Sequence, residues 1–254
     1  ATYPNINPAT QETLGVTANA TVHDAERAIA AARRAFDETD WPTDHVTRLQ
    51  ILRRFSQALE AAVKTRQRAQ IVAAAGQPVT VTHGPGCDEP VAHLAWVLDT
   101  MASFAWHRNL PTVDTMQGVR SDRQVWHEAT GVVAAITPWN FPNAMIARKV
   151  GPALAVGCTF VARPAELTPL SALAMAVLGE RAGIPSGVFN VIPSSDSAAT
   201  GQELCANDKV AKITFTGSTR VGQILMRQGA DTIKKMSLEL GGNAPFIVFD
   251  DADI

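Results

Sequence analysis

From Gly131 onward the chain alternates short apolar runs with longer helical ones, and this alternation constrains the fold most. The strand candidates are Val132–Thr137, Thr159–Ala162, Val188–Ile192, Ala211–Thr216, Lys235–Leu240 and Phe246–Phe249. Helical patterns lie between them, near Asn143–Val156, Leu170–Ala182, Asp196–Ala206 and Ser218–Gln228. Strands alternating with helices in this way predict an α/β fold built on an open, doubly wound parallel sheet. Such sheets bind ligands outside the carboxyl ends of their strands, where the strand order reverses. With 254 residues, 46% of them hydrophobic and 18% charged, the chain has enough material to bury a core around such a sheet.

The N-terminal residues read as helical. Thr21 is the expected N-cap of an Ala-rich helix reaching about Glu38. Trp41-Pro42 breaks the pattern, and Thr43 is the expected cap of a second helix carrying Leu49, Leu52, Phe55, Leu59 and Val63 at helical spacing. A third helix is expected over Lys64–Ala75 and a fourth from Pro90 to about His107. Trp96, Met101, Phe104 and Trp106 lie at helical spacing on the fourth and are expected to be core rather than a ligand box. Val113–Arg120 and Gln124–Glu128 flank Ser121-Asp122 and predict a hairpin with little core of its own, the kind of element that pairs with another subunit or domain.

A net charge of -2 offers no basic surface for nucleic acid or an anionic membrane. No apolar run approaches the roughly 18 residues of a membrane span. Cys87, Cys158 and Cys205 are too few and too scattered for a disulfide framework or a metal knuckle, which points to a reducing, cytoplasmic compartment. Cys158 is expected to pack as a small hydrophobe, and none of the three has a local setting that argues for a reactive thiolate.

Several segments carry chemistry at the ends of the predicted strands. Phe215-Thr-Gly-Ser-Thr-Arg-Val-Gly222 leads from a strand into a helix, with Gly217 at the turn. Ser218 and Thr219 there suit a pyrophosphate, or Ser218 is simply an N-cap. In Arg163-Pro-Ala-Glu166, Glu166 can accept from a ribose diol and Arg163 can reach a ribose hydroxyl or phosphate; a surface ion pair is the alternative. Two prolines in Thr137-Pro-Trp-Asn-Phe-Pro142 stiffen a loop from which Asn140 either donates to a developing oxyanion or bonds the turn itself. Arg148, on the helix that follows, is a solvated charge or a bidentate grip on a substrate carboxylate. Glu239 lies inside an apolar run, and burial there would raise its pKa toward that of a general base.

Taken together, Ile136-Thr-Pro-Trp-Asn-Phe-Pro142, Lys149-Val-Gly-Pro-Ala-Leu-Ala155, Arg163-Pro-Ala-Glu166, Ala182-Gly-Ile-Pro-Ser-Gly-Val-Phe-Asn190, Phe215-Thr-Gly-Ser-Thr219 and Leu238-Glu-Leu-Gly-Gly242 resemble the aldehyde dehydrogenase superfamily. Within it, Asn143-Ala-Met-Ile-Ala-Arg-Lys-Val-Gly151 and its companions are most similar to succinate-semialdehyde dehydrogenases. The match covers residues 131–254 densely and the helical N-terminal part loosely.

The resemblance implies a variant Rossmann-like nucleotide domain formed by 1–109 and 130–241, an oligomerisation hairpin at 110–129, and the start of a catalytic domain at 242–254. It implies NAD as cofactor, with NADP as the alternative, bound by Trp139, Arg163, Pro164, Ala165, Glu166, Phe215, Gly217, Ser218, Thr219, Val221, Gly222 and Leu240. In that family a cysteine attacks the aldehyde, the thiohemiacetal gives hydride to the nicotinamide, and activated water releases the acid. Asn140 matches the oxyanion amide, Glu239 the base and Arg148 the substrate-carboxylate arginine. The family's usual Lys before Pro-Ala-Glu is Arg163 here, which leaves the cofactor preference open. The implied nucleophile falls beyond Ile254, so these residues alone are expected to be inactive. A homodimer or homotetramer and a small aldehyde substrate are implied as partners. A general aliphatic or aromatic aldehyde dehydrogenase and a non-catalytic nucleotide-binding or oligomerising remnant stay open.

Overall fold

The structure is a computed structural model, which describes residues 1–253. It opens with β1 (Thr2–Ile6) and β2 (Thr13–Ala18), an antiparallel pair that the helical reading of this region missed. The residues this pair buries are the polar Asn5 and Thr17, while Leu14 and Val16 stay exposed, and the turn between the strands rests on Asn7, whose Oδ1 accepts from the Ala9 amide at 2.9 Å.

Helix α1 (Val22–Glu38) begins at the predicted Thr21, whose hydroxyl accepts from the Asp24 amide. Helix α2 (His45–Ala62) is capped by Asp44, not Thr43, because the Asp44 carboxylate accepts from the Thr47 amide at 3.0 Å. After a π-helical turn at Val63–Gln67 come α3 (Arg68–Ala75), the single turn α4 (Val79–Val81) and α5 (Asp88–Ala102).

Helix α5 stops short of His107, and its buried stripe is Pro90, Leu94, Val97 and Leu98. Trp96 lies two residues from Leu94, about 200° round the helix, and is 63% exposed. The aromatics beyond the helix form a separate cluster: His45 stacks on Trp106 with ring centroids 4.1 Å apart, and Phe104 meets Trp106 edge-on. The expectation of core is therefore corrected for Trp96, Phe104 and Trp106, while Met101 is half-buried against the core as expected.

The hairpin is present with a different turn. Its strands are β3 (His107–Asp114) and β4 (Arg120–Trp126), and they pair only with each other. The chain reverses over Thr115–Val119, where Gly118 takes the left-handed φ of 72°, rather than at Ser121-Asp122.

The remainder is the predicted sheet: β5 (Val132–Ile136), α6 (Pro142–Ala155), β6 (Thr159–Arg163), α7 (Leu170–Ala182), β7 (Phe189–Val191), α8 (Ser197–Ala206), β8 (Val210–Thr216), α9 (Thr219–Gln228) and β9 (Lys235–Glu239). The five strands run parallel in the order β7-β6-β5-β8-β9. The chain winds outward from β5 through β6 to β7, then crosses back to β8 and β9, so the order reverses beside β5. The expected strand at Phe246–Phe249 is absent; these side chains are exposed and the run has no pairing strand.

Every residue of β5 and β6 is buried, which is why both read as unbroken apolar runs. On one face, Val133 and Ala135 join a core with α2, α5, α6 and α7. On the other, Val132, Ala134 and Ile136 pack with residues of α1, α8 and α9.

Arg48 latches the helical layer to this sheet. It is 2% exposed, and its guanidinium donates to Ala155 O at 3.0 Å and Trp41 O at 2.6 Å, with the His45 ring nitrogen 2.6 Å away. Burial pushes its pKa down to about 10, so it stays charged at neutral pH. The Trp41 indole donates to Cys158 O at 3.1 Å, and Gly157, at φ +91°, leaves no room for a Cβ, which would lie 2.9 Å from Pro42 O. Truncating Arg48 to Met leaves these buried carbonyls unpaired and should lower the unfolding free energy by about 3 kcal/mol. Urea unfolding followed by far-UV circular dichroism measures it; a loss below about 0.5 kcal/mol would show that the latch contributes nothing.

Candidate active site

The carboxyl ends of β5, β6 and β8 open into a cavity of about 460 Å³, where the reversed strand order leaves a crevice. Ile136, Thr137 and Trp139 bring the β5 end to it, Arg163, Ala165 and Glu166 the β6 end, and Phe215, Thr216, Gly217, Ser218 and Val221 the turn from β8 into α9. The far wall is α8, through Ser197, Ala198 and Gly201. That wall escaped the sequence reading; its signal was the run of small residues Ser197-Ala-Ala-Thr-Gly201, which lets a ligand approach the helix.

Arg163 ends a fully buried strand and is only 5% exposed. Its Nη2 donates to Glu166 at 2.8 Å and to Ser194 O at 3.0 Å, while its Nε has no partner. The Oε1 of Gln228, a second residue of the lining, is likewise buried and unpaired. Orphaned polar groups on a largely apolar cavity suit a ligand that is itself part polar and part aromatic. Ser218 is the N-cap of α9, its hydroxyl accepting from the Val221 amide at 3.3 Å. The first-turn amides of α9 therefore stand at the cavity edge, a setting for an anion.

Gly217 is required by proximity rather than by a left-handed turn. A Cβ there would lie 2.4 Å from the Phe215 ring, which is buried beside it. Four of the predicted cofactor residues do not line this cavity. Pro164 is in the buried turn after β6, Thr219 turns its hydroxyl to Gly241 O at 3.5 Å, and Gly222 packs against Leu240.

A second cavity of about 550 Å³ lies over the other face of the sheet. Arg148, Lys149 and Pro152 of α6, Lys212 and Thr214 of β8, and Glu239 of β9 line it, with Phe104, Trp106 and His127 across from them. Arg148 is exposed and turned into this space. Lys149 donates to Thr214 Oγ1 at 3.1 Å; burial pulls its pKa down, with the Glu239 carboxylate opposing that shift.

Glu239 is exposed, contrary to the expectation that its apolar surroundings bury it. The period of the edge strand explains this: Met236 and Leu238 turn to the core, while Ser237 and Glu239 face the other way. The two cavities adjoin at Glu239. Thr216 lines the first, Glu239 the second, and the Thr216 hydroxyl donates to the Glu239 carboxylate at 3.0 Å.

Asn140 lines neither of these cavities. It is exposed on the loop after β5, next to Trp139, and its side-chain amide makes no hydrogen bond among the described residues. Cys87, Cys158 and Cys205 are all buried free thiols. Burial raises the pKa of Cys158, and it raises those of Cys87 and Cys205 to about 11, so none is a thiolate at neutral pH.

Comparison with known proteins agrees with this arrangement. The family model described as "Aldehyde dehydrogenase family" matches residues 1–254. A 3-sulfolactaldehyde dehydrogenase of Pseudomonas putida is 44% identical over 255 residues, covering 100% of this chain and 50% of the relative. A glutarate-semialdehyde dehydrogenase of Pseudomonas aeruginosa is 44% identical, with 98% of this chain and 50% of the relative covered. Among solved structures, the succinate-semialdehyde dehydrogenase of Burkholderia pseudomallei superposes with a TM-score of 0.89 at 45% identity, over 100% of this chain and 51% of that one. An aldehyde dehydrogenase of Mycobacterium tuberculosis complexed with NAD+ gives 0.87 at 33% identity, over 96% and 49%. The chain thus spans about half the length of the curated relatives it matches. With a family match over its whole length and a superposition on the Burkholderia enzyme that covers the entire chain, the chain belongs to the aldehyde dehydrogenase family.

Proposed function

We propose that this chain is the nucleotide-binding part of an NAD-dependent aldehyde dehydrogenase whose substrate carries a second, anionic group, with succinic semialdehyde as the reference substrate. The observation that carries the reading is the seam at Thr216–Glu239: a carboxylate at the border between a nucleotide-sized cavity and a cavity walled by Arg148. The substrates named for the two relatives above and for the Burkholderia enzyme each join an aldehyde to a carboxylate or a sulfonate. A guanidinium that grips a carboxylate through paired N–H donors answers that chemistry.

In this reading the residues at the carboxyl ends of β5, β6 and β8 would hold the nucleotide, with Ser218 and the first-turn amides of α9 available to its pyrophosphate and Glu166 to its adenosine ribose. Bound there, NAD supplies the hydride acceptor. Asn140 donates its free amide to the substrate oxygen as charge develops on it. Glu239 takes a proton from water, and Arg148 fixes the far end of the substrate. The buried, protonated thiols exclude Cys87, Cys158 and Cys205 from the nucleophile's role, which therefore falls to a residue outside these 254. The β3–β4 hairpin pairs with no other strand and exposes Val113, Met116, Val119 and Trp126; it serves as the contact between copies in a homodimer or homotetramer.

Arg148→Ala in the full-length gene product should lower kcat/KM for succinic semialdehyde by about thirtyfold, or ~2 kcal/mol. Butanal, lacking the carboxylate, should change less than about twofold. Equal losses on both aldehydes would make Arg148 a structural residue only.

The second prediction concerns the dinucleotide. Glu166 repels a 2′-phosphate, and Arg163 is already held by Glu166 and Ser194 O, so the native enzyme should prefer NAD. Glu166→Ser should move the NADP/NAD ratio of kcat/KM upward by about tenfold or more. A native enzyme that already favours NADP tenfold would overturn this account of the pair.

The thiols give a third check. At pH 8 the folded chain should leave Cys87, Cys158 and Cys205 unreactive to a disulfide reagent over minutes, and all three should react once unfolded. For Cys87 and Cys205 the folded pKa of about 11 lies above the ordinary 9.0. Their contribution to stability is complete below pH 9.0 and is lost as pH rises toward about 11. Rapid labelling of the folded chain would return these cysteines to the list of nucleophiles.

A further inference from the structure

The loop that carries Asn140 and the first turn of α6 after it are each held from the helical layer by a glutamine side chain. Gln77 is 8% exposed, and its Nε2 donates to the backbone carbonyl of Asn140 at 2.5 Å. Gln67, 1% exposed, donates through Nε2 to Asn143 Oδ1 at 2.9 Å, and Asn143 in turn donates to Gly86 O at 3.4 Å. The remaining side-chain bond to this loop is weak, from the Thr168 hydroxyl to Trp139 O at 3.4 Å. Gln77 thus makes the short bond to the residue whose own side chain is free.

The orientation of the Gln77 amide is set by the Asn140 carbonyl alone, since its Oε1 is buried without a partner. An amide oxygen in place of Nε2 would face the Asn140 carbonyl at 2.5 Å, acceptor against acceptor. The other end of the amide is packed tightly, since a Cβ on Gly86 would lie 2.7 Å from Gln77 Oε1 and 3.1 Å from Val81 O. On the chain side, Gly76 closes α3 in the left-handed conformation at φ +65°, with its amide bonded to Val72 O, and Pro78 follows. Gln77 is thus held between a helix C-cap and a proline, and its side chain reaches across to the end of β5.

We propose that Gln77 is a positioning residue for the reaction, fixing the Asn140 backbone so that the free amide of Asn140 is aimed at the developing oxyanion. The proposal rests on the oxyanion role given to Asn140 above. An oxyanion donor is worth roughly 10²–10³ in kcat, and a displacement of about 1 Å costs about 10².

In the full-length gene product, Gln77→Met should lower kcat for succinic semialdehyde by about thirtyfold while KM stays within about twofold. Placed on Asn140→Ala, where no amide remains to be aimed, the same change should alter kcat by less than about twofold. Gln77→Lys, which restores a donor, should recover most of the loss. Should Gln77→Met fail to fold, Gln77→Glu keeps the size, replaces the donor by an acceptor and should give the same kcat loss. Losses that multiply in the double variant, or a loss confined to KM, would overturn the positioning role. Full activity in Asn140→Ala would instead overturn the oxyanion assignment itself, and the role of Gln77 with it.

Discussion

A parallel sheet is apolar on both faces, and everything in this chain follows from having to seal β5 and β6 from water twice. One seal is α1, α8 and α9; the other is α2, α5, α6 and α7. In the second seal α2 and α5 come from distant chain, and Arg48 ties α2 down with hydrogen bonds to backbone carbonyls rather than an ion pair. Carbonyl dipoles disperse a buried charge without needing a second buried ion, which would add its own desolvation cost. The latch falls on the turn between α6 and β6, the two elements that deliver Arg148 and Arg163 to opposite faces of the sheet.

Placing an arginine at the end of a fully buried strand is costly unless its donors are met. Glu166 and Ser194 O meet Nη2 and leave Nε buried and unmatched. The pair is lopsided, with the arginine side chain 6% exposed and the glutamate 40%. Water can screen Glu166 but hardly Arg163, so the ion pair is better read as an anchor for the guanidinium than as a source of stability. It also fixes what a nucleotide meets first: the carboxylate stands at the open side, and the positive charge lies behind it.

The sheet and its helices were legible because burial on both faces writes unbroken apolar strands and amphipathic helices directly into the sequence. The cavity at the strand ends was legible in part for the same reason, since most of the residues proposed to hold the nucleotide sit at strand ends that the pattern locates. What stayed hidden depends on partners far along the chain. Strands β1 and β2 bury the polar Asn5 and Thr17 rather than an apolar face, and the hairpin turns at Gly118, where one left-handed residue outweighs the polar pair Ser121-Asp122. Glu239 sits among apolar neighbours, yet its strand is an edge and its period turns it outward. Arg48 and Gln77 read as ordinary polar residues; only the fold shows that each reaches over a hundred or some sixty positions to a backbone carbonyl.

Strand β8 divides the two cavities and brings them together at its end. Along it Ile213 and Phe215 turn toward α8 and α9, and Lys212 and Thr214 toward α6. A wall one strand thick separates the cavities until β8 and β9 end side by side. There Thr216 bonds the Glu239 carboxylate and the Gly217 amide bonds Glu239 O at 3.0 Å, so the acidic side chain is fixed at the place where the wall stops. The Phe215 ring over Gly217 closes the gap that any larger residue would open. The two cavities adjoin at this end, where Thr216 of the dividing strand holds the Glu239 carboxylate.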